Sequence, residues 1–373
     1  CGSGGFLTEA CDRLIQHYQQ KFGKTSVHRL DAEEARTILE RAQENIYGID
    51  INPFAVHITQ INLLFRTIDL YDKVTEQDPH YTMDGFEIHV ADTLSPTVRE
   101  KQEGSTDSES QQAQIQQFAD YNGRAQAFIE DRNEVDQIKD EMEFEVVIAN
   151  PPYVKTQNIT GPKDEYAERY SSVDGKSFDI YVPFIERGFD WVSEDGSLAY
   201  ICPNRVQTHE YAEDIREILA DEPITHLIDF KDVEVFDAAT PYPCIFAVDR
   251  EAEPDTDIKC ARFAEGRDVV LEEIYRLEEW KTPDDVVEYD LYKYSKDQMH
   301  EDNQDEYLSS WKPMPDTERQ VFDAIVEGGN ARLGEITNSV FQGLITGWNK
   351  MFVGEVIGEE DEDGVVQCLR EGG

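Results

Sequence analysis

The chain has 373 residues, 39% of them hydrophobic, and it carries 79 acidic against 34 basic residues, for a net charge of −45. Its patterned apolar segments exclude a disordered acidic protein, and no apolar run approaches the roughly 20 residues of a membrane helix or resembles a signal peptide. Six scattered cysteines without a Cys-x-x-Cys pair argue against a zinc site and a disulfide framework, so we expect a cytoplasmic protein with no membrane partner and no bound metal.

Periodicity predicts helices and strands in alternation along the first 250 residues. After a glycine turn, Leu7, Cys11, Leu14 and further apolar residues recur at helical spacing up to residue 22. Further helices are predicted at 32–43, 53–68, 179–192 and 211–221, and strands at 45–51, 86–92, 144–150, 196–203, 224–230 and 243–250. Such alternation is typical of a parallel sheet with helices on both faces. The predicted fold class is therefore α/β, with a mixed, mostly parallel sheet.

The remaining segments show weaker patterns. Residues 95–143 are polar, and residues 251–330 are acid-rich without clear periodicity. From residue 331 the sequence becomes rich in glycine and aromatic residues, which suggests another domain. We predict a first domain at 1–250, an acidic connector at 251–330 and the beginning of a second domain at 331–373. Because the chain begins with Cys1 inside a glycine turn, we expect it to be part of a longer protein.

Polar residues stand at the ends of several predicted elements, where open parallel sheets bind ligands. Gly2 and Gly4 precede the first helix, and such a turn suits an anionic group, although a merely flexible turn would look the same. Asp50 ends one strand and suits the hydroxyls of a ribose. Asp92 ends the next and suits an adenine amino group, although either acid alone could be a cap or turn residue. Together these features predict a cofactor that contains a nucleoside.

The N-P-P-Y turn at residues 150–153 follows the strand "FEVVIA" and gives the sharpest signal. Two consecutive prolines fix their own φ and move Asn150 out of the helical region. The Asn150 amide oxygen and the Pro151 carbonyl are then two acceptors for one planar amine. Tyr153 offers an aromatic face to a flat ring, although it could also pack on the core of a rigid loop. After the glycine turn and two acids, the motif predicts transfer chemistry on a planar nitrogen.

Several segments together resemble the gamma group of adenine-N6 DNA methyltransferases. Within that group, the sequence is most similar to the large methylases of type IIG restriction–modification and phage-defence (BREX-like) systems. The matching segments are C-G-S-G-G-F-L at 1–7, Y-G-I-D at 47–50, A-D-T-L at 91–94 and N-P-P-Y at 150–153, with further likeness at 179–206, 227–245 and 341–353. The resemblance implies a Rossmann-like S-adenosylmethionine-dependent methyltransferase fold, with 331–373 beginning a target-recognition domain. It also implies a strand upstream of Cys1.

The resemblance assigns roles to individual residues. It implies that S-adenosyl-L-methionine is bound by Cys1, Gly2, Gly4, Asp50, Ile51, Asp92, Thr93 and Asn150. The glycine turn would hold the methionine part, Asp50 the ribose and Asp92 the adenine. The implied catalytic residues are Asn150, Pro151, Pro152 and Tyr153. Asn150 and Pro151 would bind the target amine, and Tyr153 and Phe236 would stack on the two faces of the target base.

The implied partners are double-stranded DNA with a flipped adenine and other restriction or phage-defence subunits. Methyltransferases of RNA and of protein glutamine share the N-P-P-Y motif, and a non-catalytic DNA-binding subunit could keep the same fold. These alternatives stay open. Acidity spread over a folded chain fits a protein that works in concentrated salt, where the Debye length is about 3 Å at 1 M, or else an ordinary acidic cytosolic protein. In such salt, counterion release contributes little to DNA affinity.

Overall fold

A computed structural model describes residues 2–96, 135–159, 163–173, 177–231, 233, 235, 242–263, 289–303, 310–328, 358–360 and 366–368. The chain divides into two compact units, Cys1–Asp316 and Thr317–Gly373. Three of the predictions concern residues that the structure does not describe. Cys1, Phe236 and the segment 341–353 lie outside the described residues, so their predicted roles stay predictions.

The first unit begins with three helices and a pair of short parallel strands. These are α1 Gly5–Lys21, α2 Ala32–Asn45, β1 Tyr47–Asp50, α3 Pro53–Gln77 and β2 Glu87–Val90. A capping box of Asp31 and Glu34 starts α2, and the Asn52 side chain accepts from the Phe54 amide at the start of α3. The helices share a core that includes Ile38, Leu39, Leu63, Leu70 and Ile88. The helix α3 continues nine residues beyond its predicted end at 68, because Leu70 and Val74 extend its buried stripe.

The rest of the first unit surrounds a six-stranded sheet. Its elements are β3 Phe144–Ala149, α4 Lys163–Arg169, α5 Tyr181–Trp191, β4 Val192–Pro203, α6 Glu213–Asp221, β5 Ile224–Asp229, β6 Pro243–Asp249, β7 Ile258–Phe263, β8 Tyr289–Tyr294 and α7 Lys296–Asn303. Residues 135–141 are also helical, and short 3-10 turns lie at Val27–Arg29, Thr156–Asn158, Ser171–Val173, Asn204–Gln207 and Glu210–Ala212. The strand order is β3-β4-β6-β5-β7-β8.

Strand direction in this sheet differs in part from the prediction. β3, β4, β5 and β7 run in one direction, but β6 is inserted between β4 and β5 and runs against both. Together with the antiparallel β7–β8 pair, this makes three of the five pairings antiparallel. Helices lie between β3 and β4 and between β4 and β5, and they return the chain to the same end of the sheet. Periodicity predicts no helix between β5 and β6, and the chain comes back in the opposite direction.

Two strands of the sheet fall within the segment predicted as an acidic connector. β7 pairs in parallel with β5, and β8 pairs with β7. Acidic residues before β7 mask its short pattern, although Ile258, Cys260 and Phe263 are buried in it. Helix α8, Asp316–Gly328, begins at the last residue of the first unit, and the second unit also contains the antiparallel strands β9, Gly358–Glu360, and β10, Val366–Cys368. Among the described residues, no helix combines the length and the apolar composition required for crossing a membrane.

The two sheets of the first unit contact each other at the amino ends of β1 and β3 and through the turn that follows β2. The rings of Tyr47 at the start of β1 and Phe144 at the start of β3 are 5.3 Å apart at their centroids. Leu94, four residues after β2, is fully buried in the same core as Val147 of β3 and Tyr166 of α4. The chain segments that follow β2 and β3 are therefore packed together.

Candidate active site

The glycine turn at the start of α1 contacts the end of β1. The Gly2 amide donates to one carboxylate oxygen of Asp50 at 2.8 Å, and the Asn52 amide donates to the other at 2.9 Å. Gly2 and Gly4 have φ of 56° and 81°, in the left-handed region that favours glycine. A Cβ added to Gly4 would lie 2.8 Å from the Thr59 methyl carbon, so the close approach of the turn to α3 also requires glycine.

Two side chains of α3 donate hydrogen bonds to the glycine turn. The Thr59 hydroxyl donates to the Gly2 carbonyl at 3.1 Å, and the Asn62 amide donates to the Ser3 carbonyl at 2.9 Å. Thr59 is fully buried. The amide groups in the first turn of α1 have no partner within the helix, so they can donate to a ligand.

The environment of Asp50 keeps its side chain ionised. Burial raises the pKa of the Asp50 carboxyl, and the hydrogen bonds from the Asn52 and Gly2 backbone amides lower it, because they favour the ionised form. The next residue, Ile51, leaves 71% of its surface exposed. An ionised acceptor therefore stands beside an open apolar surface, an arrangement that suits a ribose attached to a flat base.

The turn after β2 places Asp92 next to Asp50. The Ala91 amide donates to the Asp50 carbonyl at 3.0 Å, which joins the ends of β1 and β2. One Asp92 carboxylate oxygen accepts from the Leu94 amide and the other from the Tyr166 hydroxyl, each at 3.0 Å. Thr93 is partly exposed in the same turn. The Asp92 carboxylate is thus held in place by its own turn and by α4.

The N-P-P-Y turn stands at the carboxyl end of β3. Asn150 and Pro152 are exposed, whereas Pro151 is buried. The Tyr153 hydroxyl donates to the Ile201 carbonyl of β4 at 3.4 Å, and burial raises the pKa of this phenol, so it stays neutral. After the turn, the Val154 carbonyl accepts from the Ile180 amide at 3.0 Å. The motif is therefore anchored on both sides, while its asparagine faces solvent.

The structure links three of the predicted site residues, Gly2, Asp50 and Asp92, in one chain of contacts. Gly2, Asp50 and Asp92 are joined by the hydrogen bonds between the glycine turn, β1 and β2. Asp92 is joined in turn to Tyr166, on the segment that leaves the N-P-P-Y turn. The predicted stacking partner Phe236 and the predicted cofactor residue Cys1 lie outside the described residues. Among the described residues, no group of His, Cys, Asp and Glu side chains is arranged to hold a metal ion.

Sequence reasoning missed the residues that support this site. Tyr166 and Tyr170 of "DEYAERY" contact the Asp92 turn, and Lys139 lies beneath it. Next to Ile180, the Asp179 carboxylate accepts from the Tyr211 hydroxyl at 2.9 Å. Two tyrosines at four-residue spacing in an otherwise polar stretch are a signal of a buried face that could have pointed to α4. Nothing local marks Lys139 among the many charged residues around it.

Comparison with known proteins places this arrangement in a family. The family described as Eco57I restriction-modification methylase matches residues 44–236, just over half of the chain. The type II methyltransferase M.PaeR7I of Pseudomonas aeruginosa is 35% identical over 123 residues, which cover 32% of this chain and 21% of that protein. The adenine-specific methyltransferase PglX of Streptomyces coelicolor is 26% identical over 234 residues, covering 58% and 17%.

A solved structure shares the fold. The cryo-electron microscopy structure of the DrdV–DNA complex superposes with a TM-score of 0.50 at 14% identity, covering 78% of this chain and 26% of that chain. This likeness concerns the fold alone. The chain spans about a fifth of the length of the curated relatives that it matches. On the family match, the chain belongs to the Eco57I restriction-modification methylases.

Proposed function

We propose that this chain transfers a methyl group from S-adenosyl-L-methionine to the exocyclic N6 amine of adenine in a specific DNA sequence, within a restriction–modification or phage-defence system. The observation that carries the proposal is the N-P-P-Y turn at the carboxyl end of β3, in a chain of the Eco57I methylase family. The names of the relatives M.PaeR7I and PglX support a type II methyltransferase and adenine as the target.

The proposal includes a domain arrangement. Residues 1–250 would form the core of a Rossmann-like methyltransferase domain, with β7 and β8 extending its sheet into the acidic segment 251–330. Residues 331–373 would begin a target-recognition domain. Other restriction or phage-defence subunits remain candidate partners of the longer protein.

The described residues fit S-adenosylmethionine. The glycine turn brings backbone amides close to a ligand, Asp50 is an ionised acceptor for ribose hydroxyls, and Ile51 offers an exposed apolar surface to the adenine ring. Asp92 and Thr93 would complete the contact with the base. When bound, the cofactor supplies a methyl group on a positively charged sulfonium.

Residues 150–153 prepare the amine that accepts the methyl group. The lone pair of the adenine N6 amine is delocalised into the ring, so the amine is a poor nucleophile. The Asn150 side-chain oxygen and the Pro151 carbonyl would each accept one of its hydrogens, which favours a pyramidal nitrogen with an available lone pair. These acceptors also stabilise the positive charge that develops on the nitrogen, and one such contact typically contributes about 3 kcal/mol. No covalent intermediate with the enzyme is required.

Adenine must leave the double helix to reach Asn150. Tyr153 would stack on the extruded base, a contact that offsets about 1–3 kcal/mol of the unstacking cost. The Ile201 carbonyl and the burial of Pro151 hold the tyrosine and its turn in place. Phe236 would provide the second stacking surface.

The reaction is tested with the full-length protein that contains this chain, labelled S-adenosylmethionine and genomic DNA in concentrated KCl. We expect label in DNA and N6-methyladenine as the only modified base after hydrolysis. Label in RNA or in protein glutamine, with none in DNA, would replace the proposal with one of the alternative N-P-P-Y reactions. DNA binding without any methyl transfer would favour the non-catalytic subunit.

The charge distribution around the sheet supports a DNA-facing edge. Lys155 and Arg205 are exposed and follow the carboxyl ends of β3 and β4. Lys231 follows β5 and pairs with the buried Asp229 at 3.0 Å. Since β3, β4 and β5 run in the same direction, these three bases share one edge of the sheet.

The opposite edge of the sheet carries several exposed acids. Exposed acids stand at or near the amino ends of β4, β5 and β7, namely Glu194, Asp195, Asp221, Glu251, Glu253 and Asp255. In a chain with 79 acids and 34 bases, the bases at the carboxyl edge reduce the repulsion that a phosphate backbone would otherwise meet there.

Replacing Lys155 and Arg205 together by glutamine is expected to weaken binding to DNA of any sequence and to reduce the salt dependence of that binding. If each base contacts one phosphate, the slope of log K against log salt falls by about 1 for each residue. Fluorescence anisotropy with duplex DNA over a series of KCl concentrations measures this slope. Lys293→Gln, which removes an exposed base at the opposite edge, is the control. An equal slope in both variants would remove Lys155 and Arg205 from the DNA surface.

A further inference from the structure

The turn at residues 92–95 is held by side chains that come from distant parts of the chain. Lys139 Nζ donates to the Asp92 carbonyl at 2.9 Å and also to the carbonyl and hydroxyl of Ser95. The Tyr170 hydroxyl donates to the Leu94 carbonyl at 3.2 Å, and Tyr166 holds the Asp92 carboxylate. The position of the Asp92 carboxylate therefore depends on groups outside its own loop.

Lys139 is an unusual residue for this place. Only 4% of its surface is exposed, and an ammonium group taken out of water is costly unless it is hydrogen-bonded. An ammonium has three donors, and within the described part of the chain the oxygens that accept from Lys139 belong to Asp92 and Ser95. Hydrogen bonds to the 92–95 turn therefore offset the free-energy cost of burying the Lys139 ammonium.

Lys139 is itself fixed by helix α5. Arg187 Nη2 and Trp191 Nε1 donate to the Lys139 carbonyl at 2.6 and 3.3 Å. The Arg187 guanidinium also lies 4.8 Å from the centroid of the Trp191 ring. The backbone of residue 139 cannot shift without breaking these contacts, so the position from which the ammonium reaches the turn is fixed.

We infer that Lys139 is a positioning residue for the cofactor: its ammonium fixes the 92–95 turn and thereby sets the affinity of the protein for the adenosyl part of S-adenosylmethionine. The inference rests on the proposed role of Asp92 in cofactor binding. Lys139 touches neither substrate nor cofactor in this proposal, because its ammonium bonds to the turn and its carbonyl accepts from α5.

The proposal makes cofactor affinity depend on pH. Burial, aided by the charge of Arg187, lowers the pKa of Lys139 to about 8. Other groups facing it are Asp92, Asp136, Arg169, Tyr166 and Tyr170. Burial raises the pKa of both tyrosines, that of Tyr170 to about 12, so neither titrates in this range. As pH rises through about 8, Lys139 loses its charge and one of its three donors, and affinity falls.

Deprotonation of Lys139 also changes the free energy of unfolding, and it does so in the direction opposite to its effect on cofactor affinity. In the unfolded chain a lysine keeps its proton up to a pKa of about 10.4, so between about 8 and 10.4 the unfolded state binds more protons. The contribution of Lys139 to the free energy of unfolding therefore rises with pH in this window. A lysine that served stability alone would show this rise without any loss of cofactor affinity.

The test uses isothermal titration of the full-length protein with S-adenosylhomocysteine. Lys139→Met is expected to raise Kd by about tenfold or more, while kcat at saturating cofactor changes by less than about twofold. Lys139→Arg keeps the charge and is expected to bind like the wild type. The wild-type Kd is expected to rise across pH 8, and the Kd of Lys139→Arg is expected to stay level.

Lys296→Met is the matched control. Lys296 is also buried, with 7% of its surface exposed, and its ammonium donates to the Ala220 and Glu222 carbonyls at the end of α6. This variant is expected to lose stability but to keep the wild-type Kd. The inference is overturned if Lys139→Met binds like the wild type, or if the pH dependence persists in Lys139→Arg. Absence of binding by the wild type would instead refute the proposed cofactor.

Discussion

The Asn150→Ala protein is expected to bind S-adenosylmethionine with nearly unchanged affinity and to lose methyl transfer by roughly 100- to 1,000-fold. The side chain is exposed at the end of β3, and the Asp50 carboxylate is held by the Gly2 and Asn52 amides. The substitution takes away one of two acceptors for the amine hydrogens. The nitrogen then stays planar, and the charge that develops on it is less well stabilised.

Single-turnover transfer of labelled methyl to DNA, with cofactor affinity from titration, separates the two effects. Asn45→Ala is the control, because Asn45 is an exposed asparagine at the end of α2 whose side chain bonds only the Arg41 carbonyl among the described residues. A transfer rate for Asn150→Ala equal to that of this control would exclude Asn150 from the chemistry and leave the Pro151 carbonyl as the remaining acceptor.

The Asp50→Asn protein is expected to lose cofactor affinity by about 10- to 100-fold, equivalent to about 1.4–2.8 kcal/mol. The Asp50 carboxylate accepts from two backbone amides, and both of its oxygens are used. An asparagine offers one oxygen and turns an N–H donor toward the Gly2 or Asn52 amide. The glycine turn loses its connection to β1, and a ribose loses its ionised acceptor.

Equilibrium binding of S-adenosylhomocysteine measures this effect directly. Because the Gly2 and Asn52 amides favour the ionised form of Asp50, wild-type affinity is expected to show no contribution from this group near neutral pH. Asp69→Asn is the control, since Asp69 is an exposed acid on α3, the helix that supports the turn. If Asp50→Asn bound as tightly as Asp69→Asn, the ribose site would have to lie elsewhere.

Much of the fold could be predicted from local patterns. The strands β1, β2 and β3 stand within a few residues of their predicted places, because apolar alternation and the following polar residues are local features. The order and direction of the strands could not be predicted in the same way. β6 lies between β4 and β5 because of a reversal between β5 and β6, and the periodicity of a strand is identical in either direction.

The candidate site, too, could be predicted only in part from the sequence. The residues that would touch cofactor and base follow strands directly, so their positions in the sequence already place them at strand ends. The residues that hold these side chains in place do not follow the same strands directly. Lys139 bonds to Asp92 across 47 positions and Tyr166 across 74, and no short window contains both partners.

By itself, the sequence determined the alternation of helices and strands, the N-P-P-Y turn and the acids at two strand ends, since each depends on neighbours within a few residues. Only the tertiary structure decided that Lys155 and Arg205 share the carboxyl edge of the sheet, and that a buried lysine supports Asp92. Such contacts depend on the path of the whole chain through the sheet, because hydrogen bonds and burial act between atoms that are close in space.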